Sequence, residues 1–489
     1  MFSFLPDIFY YINFVIIFFS IIYILLSNKE SEASLAWMML IMAIPIWGFL
    51  LFLLIGMDVK NSKIIPKRPE ELFAEKLKPL LQSQRELLQE SEIGDSESMT
   101  DVMKSIKLLL NSNQAALTLD NSVEIYYSGK KLYEKLLADL ENANQSIHME
   151  YFIWKSDELG QKIKDILVRK SAQGVDVKLI FDGLGSFGRI SFKYKKELRK
   201  AGVKFSYFKD LNRLMARMKI NYSNHKKIVV IDSIIAYTGG MNVGMEYIDG
   251  GASFESWRDT HVRLKGKCVH ILQSIFLTDW FNCGHEMLIE DDFFPEELPE
   301  QLPDDLINVP VQIAVSGPDS QWNSIELLIF NMITNANHEV FIQSPYFIPD
   351  LAMMKAMESA AMSGIDITLM MAGIPDKKIA WWTAFTYFEP LLEAGVKILH
   401  YEEGFLHSKV VIMDSIVSTV GTCNMDIRSF RLNYEVNAVF YDNDISKNLK
   451  DQFVLDSLCC REITLEEIQS MSSSRKLRNS VCRLFSPLM

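Results

Sequence analysis

Apolar and polar positions divide this chain into segments of different character. Ile8 to Asn28 is an uncharged, largely apolar run of 21 residues, and Ala33 to Met57 is a second of 25. Either is long enough to cross a hydrocarbon core as a helix, which takes about 20 apolar residues. The pattern predicts a two-helix transmembrane hairpin over residues 1–58, with helices at about 8–28 and 34–57. A cleaved signal peptide fits poorly, because no base precedes the first run and a second run follows almost at once. Pro45 lies inside the second run, where a membrane helix tolerates it. Lys60, Lys63, Lys67 and Arg68 follow the second run, so the positive-inside rule places that flank, and with it the bulk of the chain, in the cytoplasm.

Residues 59–110 read as a linker. Within it Leu72, Phe73, Leu77, Leu80, Leu81, Leu87 and Leu88 recur near helical spacing, which predicts an amphipathic helix packed on its own domain or lying on the membrane surface. The polar stretch Gly94 to Thr100 breaks the pattern, and the folded region is expected to begin near residue 110. From there the pattern becomes short β-branched runs beside helical ones, the signature of an α/β protein.

The chain then repeats itself. SIHMEYFIW (146–154) is similar to EVFIQSPYFIP (339–349), AQGVDVKLIFDGLG (172–185) to MSGIDITLMMAGIPD (362–376), and AGVKFSYFKD (201–210) to AGVKILHYEE (394–403). Two duplicated domains are expected, at 111–300 and 301–489. The offset between copies is 193 residues at Gly202 and Gly395 but 182 at His225 and His407. The first copy therefore carries an insert at Arg213 to Ser223, with Arg213, Arg217 and Lys219 in it. It reads either as a solvated loop or as a basic lip beside an anion site.

Composition narrows the function. With 49% hydrophobic and 23% charged residues, the chain is neither disordered nor fibrous. Formal charge is −12, and residues 1–57 hold only Asp7, Lys29, Glu30 and Glu32. That leaves 49 basic and 59 acidic residues, a net of −10, for the remainder, so no nucleic-acid partner is expected. Six cysteines show no CxxC spacing and read as small buried hydrophobes. Neither a metal site nor a cofactor is expected.

Both copies carry one constellation. His225, Lys227 and Asp232 form HxKx4D and are followed by Gly239-Gly240-Met241-Asn242; His407, Lys409 and Asp414 repeat it, followed by Gly421-Thr422-Cys423-Asn424. The apolar stretch between His and Asp is a strand, so His and Lys share a face while Asp, of opposite parity, faces away and anchors neighbouring structure. Imidazole, ammonium and amide on one surface describe a phosphate site that owns a nucleophile. One His per copy predicts that the halves face each other and build one two-histidine site. One ring, neutral, attacks phosphorus, and the other, protonated, releases the leaving alcohol.

These paired blocks resemble the phospholipase D superfamily. The finer pattern is similar to bacterial cardiolipin synthases: MEYFIWKSDELG, FDGLGS, SWRDTHVRLKG, SGPDS, SPYFIPD, GFLHSK, NMDIRSFRLNYEVN and the terminal RLFSPLM. The resemblance implies two phospholipase D-like α/β sandwich domains forming one pseudo-twofold active site. It implies a phosphatidyltransferase of the bacterial cell membrane, multi-pass and acting without a metal. One phosphatidylglycerol would form a phosphatidyl-histidine and release glycerol; a second would take the phosphatidyl group, giving cardiolipin. His225, Lys227, Asp232, His407, Lys409 and Asp414 would be the catalytic set, with Asn242 and Asn424 on phosphate. Asp259 and Glu435 would orient the histidines, and His225 is the nucleophile by analogy alone. A hydrolytic phospholipase D, a membrane-tethered nuclease and a noncatalytic scaffold are the competing readings; phosphatidylethanolamine is a second possible donor. Arg475, Lys476, Arg478 and Arg483 either touch anionic lipid or belong to a packed terminal helix.

Overall fold

A computed structural model of the chain describes residues 5–26, 31–56, 84, 97–208, 221–286, 293 and 308–486. It divides into two compact units. One contains residues 1–65 and 209–222; the other contains 66–208 and 223–489.

In the first unit, helix Leu5–Leu26 is followed by Ser31–Ala43, Pro45–Leu51 and a wide helical turn Phe52–Gly56. Where the sequence predicts one helix over 34–57, the structure has a break at Ile44, whose φ of −139° and ψ of 76° are not helical. The Pro45 ring disfavours the α conformation in the residue before it. Ile24, Ile41 and Phe52 bury one another, and the rings of Tyr23 and Trp37 meet Phe52 edge-on. Among the described residues no helix is long and apolar enough to cross a membrane.

The second unit is built on two sheets. The first half supplies β1 (Asn121–Tyr126), β2 (Ser146–Tyr151), β3 (Asp176–Asp182), β4 (Lys204–Phe208), β5 (Ser223–Asn224), β6 (Lys227–Ile231), β7 (Ile235–Gly239), β8 (Trp257–Arg258) and β9 (His261–Gly266). The second half supplies β10 (Val311–Ser316), β11 (Glu339–Gln343), β12 (Phe347–Ile348), β13 (Asp366–Ala372), β14 (Lys397–Tyr401), β15 (Phe405–Leu406), β16 (Val410–Met413), β17 (Val417–Gly421), β18 (Met425–Asp426), β19 (Asn433–Tyr441) and β20 (Cys460–Glu462). The strand orders are β1-β9-β7-β6-β2-β3-β4 and β10-β19-β17-β16-β11-β13-β14-β20. Apart from the added edge strand β20, the second order repeats the first. The duplication read from sequence is thus a duplication of topology, each half a mixed α/β sheet.

The central strands are apolar at nearly every position because both faces are covered. In β6, Ile228 and Val230 point to the seam between the sheets, where they meet Val410, Ile412, Val436 and Ala438 of the second half. Val229 and Ile231 point outward, to a core closed by helices Gly129–Glu141 and Glu158–Ala172. The equivalent outer core of the second half lies under Ser324–Thr334, Leu351–Met362 and Lys378–Ala394.

Helix Glu97–Asn113 differs from the expected linker ending at 110. It buries Ile106 and Leu109 in the core of the second half, and Ser105 Oγ donates to Asn331 Oδ1 at 2.8 Å. A segment that precedes the first half in sequence therefore packs on the second. The Leu72–Leu88 stripe, the bases Lys60 to Arg68, the insert residues Arg213, Arg217 and Lys219, and the boundary at 300/301 lie outside the described residues.

Candidate active site

Two short strand pairings build the site. β5 runs parallel to the start of β19, pairing Ser223 with Asn433 and Asn224 with Tyr434. β15 runs parallel to β8, pairing Phe405 with Trp257 and Leu406 with Arg258. The backbone N–H of His225 then donates to Tyr434 O at 2.9 Å, and that of His407 to Arg258 O at 2.7 Å. Each pairing carries a histidine of one half to the residue just before an acid of the other half.

The acids are thereby crossed. His225 Nδ1 lies 3.0 Å from both carboxylate oxygens of Glu435, and His407 Nδ1 lies 2.7 Å from Asp259 Oδ2. Neither half holds a complete histidine–carboxylate pair by itself. With Nδ1 engaged, Nε2 is the ring nitrogen left for chemistry in both histidines. Both rings are nearly buried, His225 edge-on to Phe152 at 4.8 Å and His407 against Trp257 at 5.2 Å.

Lys227 and Lys409 share the histidine face, as strand alternation requires. Lys227 Nζ donates to His225 O at 2.7 Å, and Lys409 Nζ donates likewise to His407 O. Burial lowers both lysines: Lys227 to about 7, with Glu435 opposing and Lys409 adding repulsion, and Lys409 to about 8 against the pull of Asp259 and Glu435. Burial also lowers both histidines. His225 lies well below its usual value, pushed further by Lys227, Lys409, Lys377 and Arg428. His407 falls to about 4, with Asp259 opposing the fall. Both imidazoles are thereby biased toward the neutral form. A bound anion works in the opposite direction and restores charge to the site.

The two carboxylates differ. Burial raises Glu435 to about 7, although Lys227, Thr422 and Asn433 pull the other way. Asp259 is equally buried, but His407 and Lys409 outweigh burial and keep it below its usual value. Asp259 also accepts the Thr260 N–H at 2.8 Å.

Asp232 and Asp414 stand at the far ends of β6 and β16 from the histidines, facing away as strand parity predicts and apart from the catalytic set that the resemblance implied. Asp232 accepts the backbone N–H groups of Asn144, Gln145 and Ser146 at 2.7–2.8 Å. Asp414 accepts those of Asn337, His338 and Glu339 at the same distances. Both adopt left-handed φ, 53° and 52°, which Asp accepts more readily than most residues. Their geometry is that of anchors joining the start of β2 or β11 to the catalytic strand.

The asparagines are more occupied than expected. Asn242 Oδ1 accepts the Ile153 N–H at 3.0 Å, and its Nδ2 donates to the Tyr247 hydroxyl at 2.8 Å. Asn424 Nδ2 donates to Ser429 Oγ at 3.2 Å, while its Oδ1 is buried without a partner. A Cβ on Gly240 would lie 2.0 Å from Asp259 Oδ1, so its bare backbone makes room for the acid that holds His407.

Sequence reasoning missed the opposite face of the catalytic strands. Lys226, adjacent to His225, points away from the site into a buried ion pair with Asp279. Arg258, adjacent to Asp259, meets Asp456 with Nε 2.9 Å from both carboxylate oxygens. A cavity of about 320 Å³ opens on this side; Lys226, Asp279, Ser316 and Tyr434 line it and neither histidine does. The cations Lys377 and Arg428 were also missed. No single-residue signal marks them, because long-range folding brings them to His225. Among the described residues, no group of His, Cys, Asp or Glu could hold a metal ion.

Comparison with known proteins gives the family. A family model described as the cardiolipin synthase, PLD-like domain matches residues 136–280 and 329–456. The chain is 37% identical over 488 residues to the major cardiolipin synthase ClsA of Bacillus subtilis, covering 100% of this chain and 99% of that protein. It is 36% identical over 471 residues to a cardiolipin synthase of Clostridium perfringens, covering 95% and 96%. The crystal structure of a phosphatidylserine synthase from Haemophilus influenzae superposes with a TM-score of 0.59 at 14% identity. It covers 79% of this chain and 100% of that one, a likeness of fold.

Proposed function

Because the chain belongs to the cardiolipin synthase family, with its phospholipase D-like domain, we propose that it transfers a phosphatidyl group between two phosphatidylglycerol molecules. The products are cardiolipin and glycerol. The observation that carries this reading is the crossed pair of contacts, His225 with Glu435 and His407 with Asp259, closing one buried site across the two halves.

His225 Nε2 attacks phosphorus of the donor phosphodiester. A P–N bond forms and the bond from phosphorus to the glycerol oxygen breaks, with His407 delivering its proton to that oxygen. The primary hydroxyl of the second phosphatidylglycerol then gives a proton to His407 and attacks the same phosphorus, and the P–N bond breaks. The P–N bond formed in the first step is broken in the second, so one phosphate ester replaces another overall and no water or nucleotide is consumed. The contrast between the two acids supports this assignment of roles. Ionised Asp259 favours the imidazolium of His407, whereas His225 faces more cations and a Glu435 raised to about 7, and stays a neutral nucleophile.

Lys227 and Lys409 hold the non-bridging phosphate oxygens, and each regains full charge as the anion enters. Asn242 and Asn424 have each committed one amide hydrogen, which leaves the other for phosphate. Asp232 and Asp414 act by holding strand ends. Residues 1–58 anchor the chain in the cell membrane as a two-helix hairpin with the two domains on the cytoplasmic side; supporting this are the two long apolar runs and the bases after them. No nucleic acid takes part.

The test is to give the purified full chain headgroup-labelled phosphatidylglycerol in mixed micelles and to separate the products. Cardiolipin and glycerol in equal amounts are expected. Phosphatidic acid with glycerol, and no cardiolipin, would overturn the transferase in favour of a hydrolase.

A further inference from the structure

The C-terminal helix Ser473–Arg483 has two different long faces. Asn479 and Cys482, with Ser486 just beyond the helix, are buried, and Ser486 Oγ lies 3.4 Å from the hydroxyl of Tyr387 on helix Lys378–Ala394. Arg478 and Arg483 lay their guanidinium groups over the Trp382 and Tyr387 rings of the same helix, at 4.3 and 4.9 Å. This is the packed side, and it satisfies the reading of a docked terminal helix.

Among the described residues, the opposite side has no such cover. Leu477, Val481 and Leu484 recur at i, i+4 and i+7 and are 67%, 49% and 78% exposed, and Phe485 beside them is 52% exposed. A stripe with that spacing normally faces a core, yet here it points away from helix Lys378–Ala394. Arg475, Lys476 and Arg483 are exposed as well, and Ser473–Arg483 contains four bases and no acid. It does so in a polypeptide whose formal charge is −12. An apolar ridge with cations along its flanks matches a bilayer surface: the ridge enters the acyl boundary and the long basic side chains reach the headgroups. A protein partner would need acids to meet these cations; an anionic leaflet supplies that charge over its whole area.

We propose that helix Ser473–Arg483 lies on the anionic face of the bilayer, with Leu477, Val481, Leu484 and Phe485 in the interface and Arg475 and Lys476 on lipid phosphates. The two alternatives left open by the sequence are then both true, on different faces of one helix. Because this helix rests on Lys378–Ala394, which follows directly on Lys377, lipid contact there fixes how the second half meets the membrane.

The experiment uses the full chain reconstituted in vesicles, with a photo-crosslinking residue at Leu484 and, separately, at the exposed Met362. After irradiation, lipid adducts are counted by mass spectrometry. The expected result is lipid adducts at position 484 in phosphatidylglycerol vesicles, at least about fivefold fewer in phosphatidylcholine or in 1 M salt, and at least fivefold fewer at 362. The double variant Arg475→Glu, Lys476→Glu, both residues exposed and safe for folding, should lower the yield at 484 by a similar factor. Equal yields at 484 and 362, or a yield at 484 indifferent to lipid charge, would overturn the proposal. The readout needs no turnover, so its failure leaves the phosphatidyl-transfer reading untouched.

Discussion

Replacing Asp259 by Asn should abolish most of the transfer activity and leave the fold intact. Asp259 Oδ2 lies 2.7 Å from His407 Nδ1, is buried, and remains ionised. When His407 takes up a proton, its charge centre comes within about 4 Å of that carboxylate. With an effective dielectric of about 20, the attraction is about 4 kcal/mol, and each 1.36 kcal/mol is a factor of ten in rate. Asn keeps a hydrogen-bond acceptor in place but loses the charge, so a fall in kcat of about 10²–10³ is expected. The corresponding Glu435→Gln change should cost less, about tenfold, because burial brings Glu435 to about 7 and part of it is already neutral at pH 7. The assay is conversion of labelled phosphatidylglycerol to cardiolipin at pH 7, with thermal unfolding as the control for folding. A folded Asp259→Asn protein within tenfold of native activity would refute the imidazolium role of His407. A larger loss for Glu435→Gln than for Asp259→Asn would reverse the assignment of the two histidines.

Other consequences follow from the same geometry. With Lys227 near 7 and Lys409 near 8 in the empty site, binding an anion favours their charged forms and takes up protons as pH rises past 7. Affinity for an unreactive soluble phosphodiester should therefore weaken from pH 7 to 9, with proton uptake in titration calorimetry; a pH-independent affinity would contradict it. Asp232→Ala removes the acceptor for three backbone N–H groups, partly exposed, and should cost about 2 kcal/mol of stability while turnover per folded molecule stays within a few-fold. An unchanged urea midpoint with a thousandfold loss of turnover would make Asp232 a direct participant. Gly240→Ala puts a Cβ 2.0 Å from Asp259 Oδ1 and should reduce turnover at least about a hundredfold with the unfolding temperature little changed; near-native activity would show that Asp259 need not sit where it does.

Much of this site was legible in the sequence because duplication turns weak local signals into strong ones. A single HxKx4D says little, but two in repeated blocks fix a strand, a face and a pairing of halves. What remained hidden depends on contacts with no local pattern. Glu435 is 210 residues from His225 and Asp259 is 148 from His407, and the crossing arises from two-residue pairings between halves, too short to leave a periodicity. Lys226 and Arg258 look like site residues from their neighbours, yet strand alternation sends them to buried acids behind it. The break before Pro45 was visible as a proline but not as a break, since a membrane reading tolerates it. Helix Glu97–Asn113 was assigned to a linker because its partners, among them Asn331, lie more than 200 residues away.

A covalent phosphatidyl-His225 resolved by His407 can be trapped and seen. In the His407→Ala variant, a diacylglycerol p-nitrophenyl phosphodiester has a leaving group that needs no proton, while the second step lacks its base. A burst of about one equivalent of nitrophenolate per enzyme is expected, with the phosphatidyl group found on His225 by peptide mass spectrometry and no burst from His225→Ala. A burst that survives His225→Ala, or an adduct found on His407 in the native chain, would contradict it.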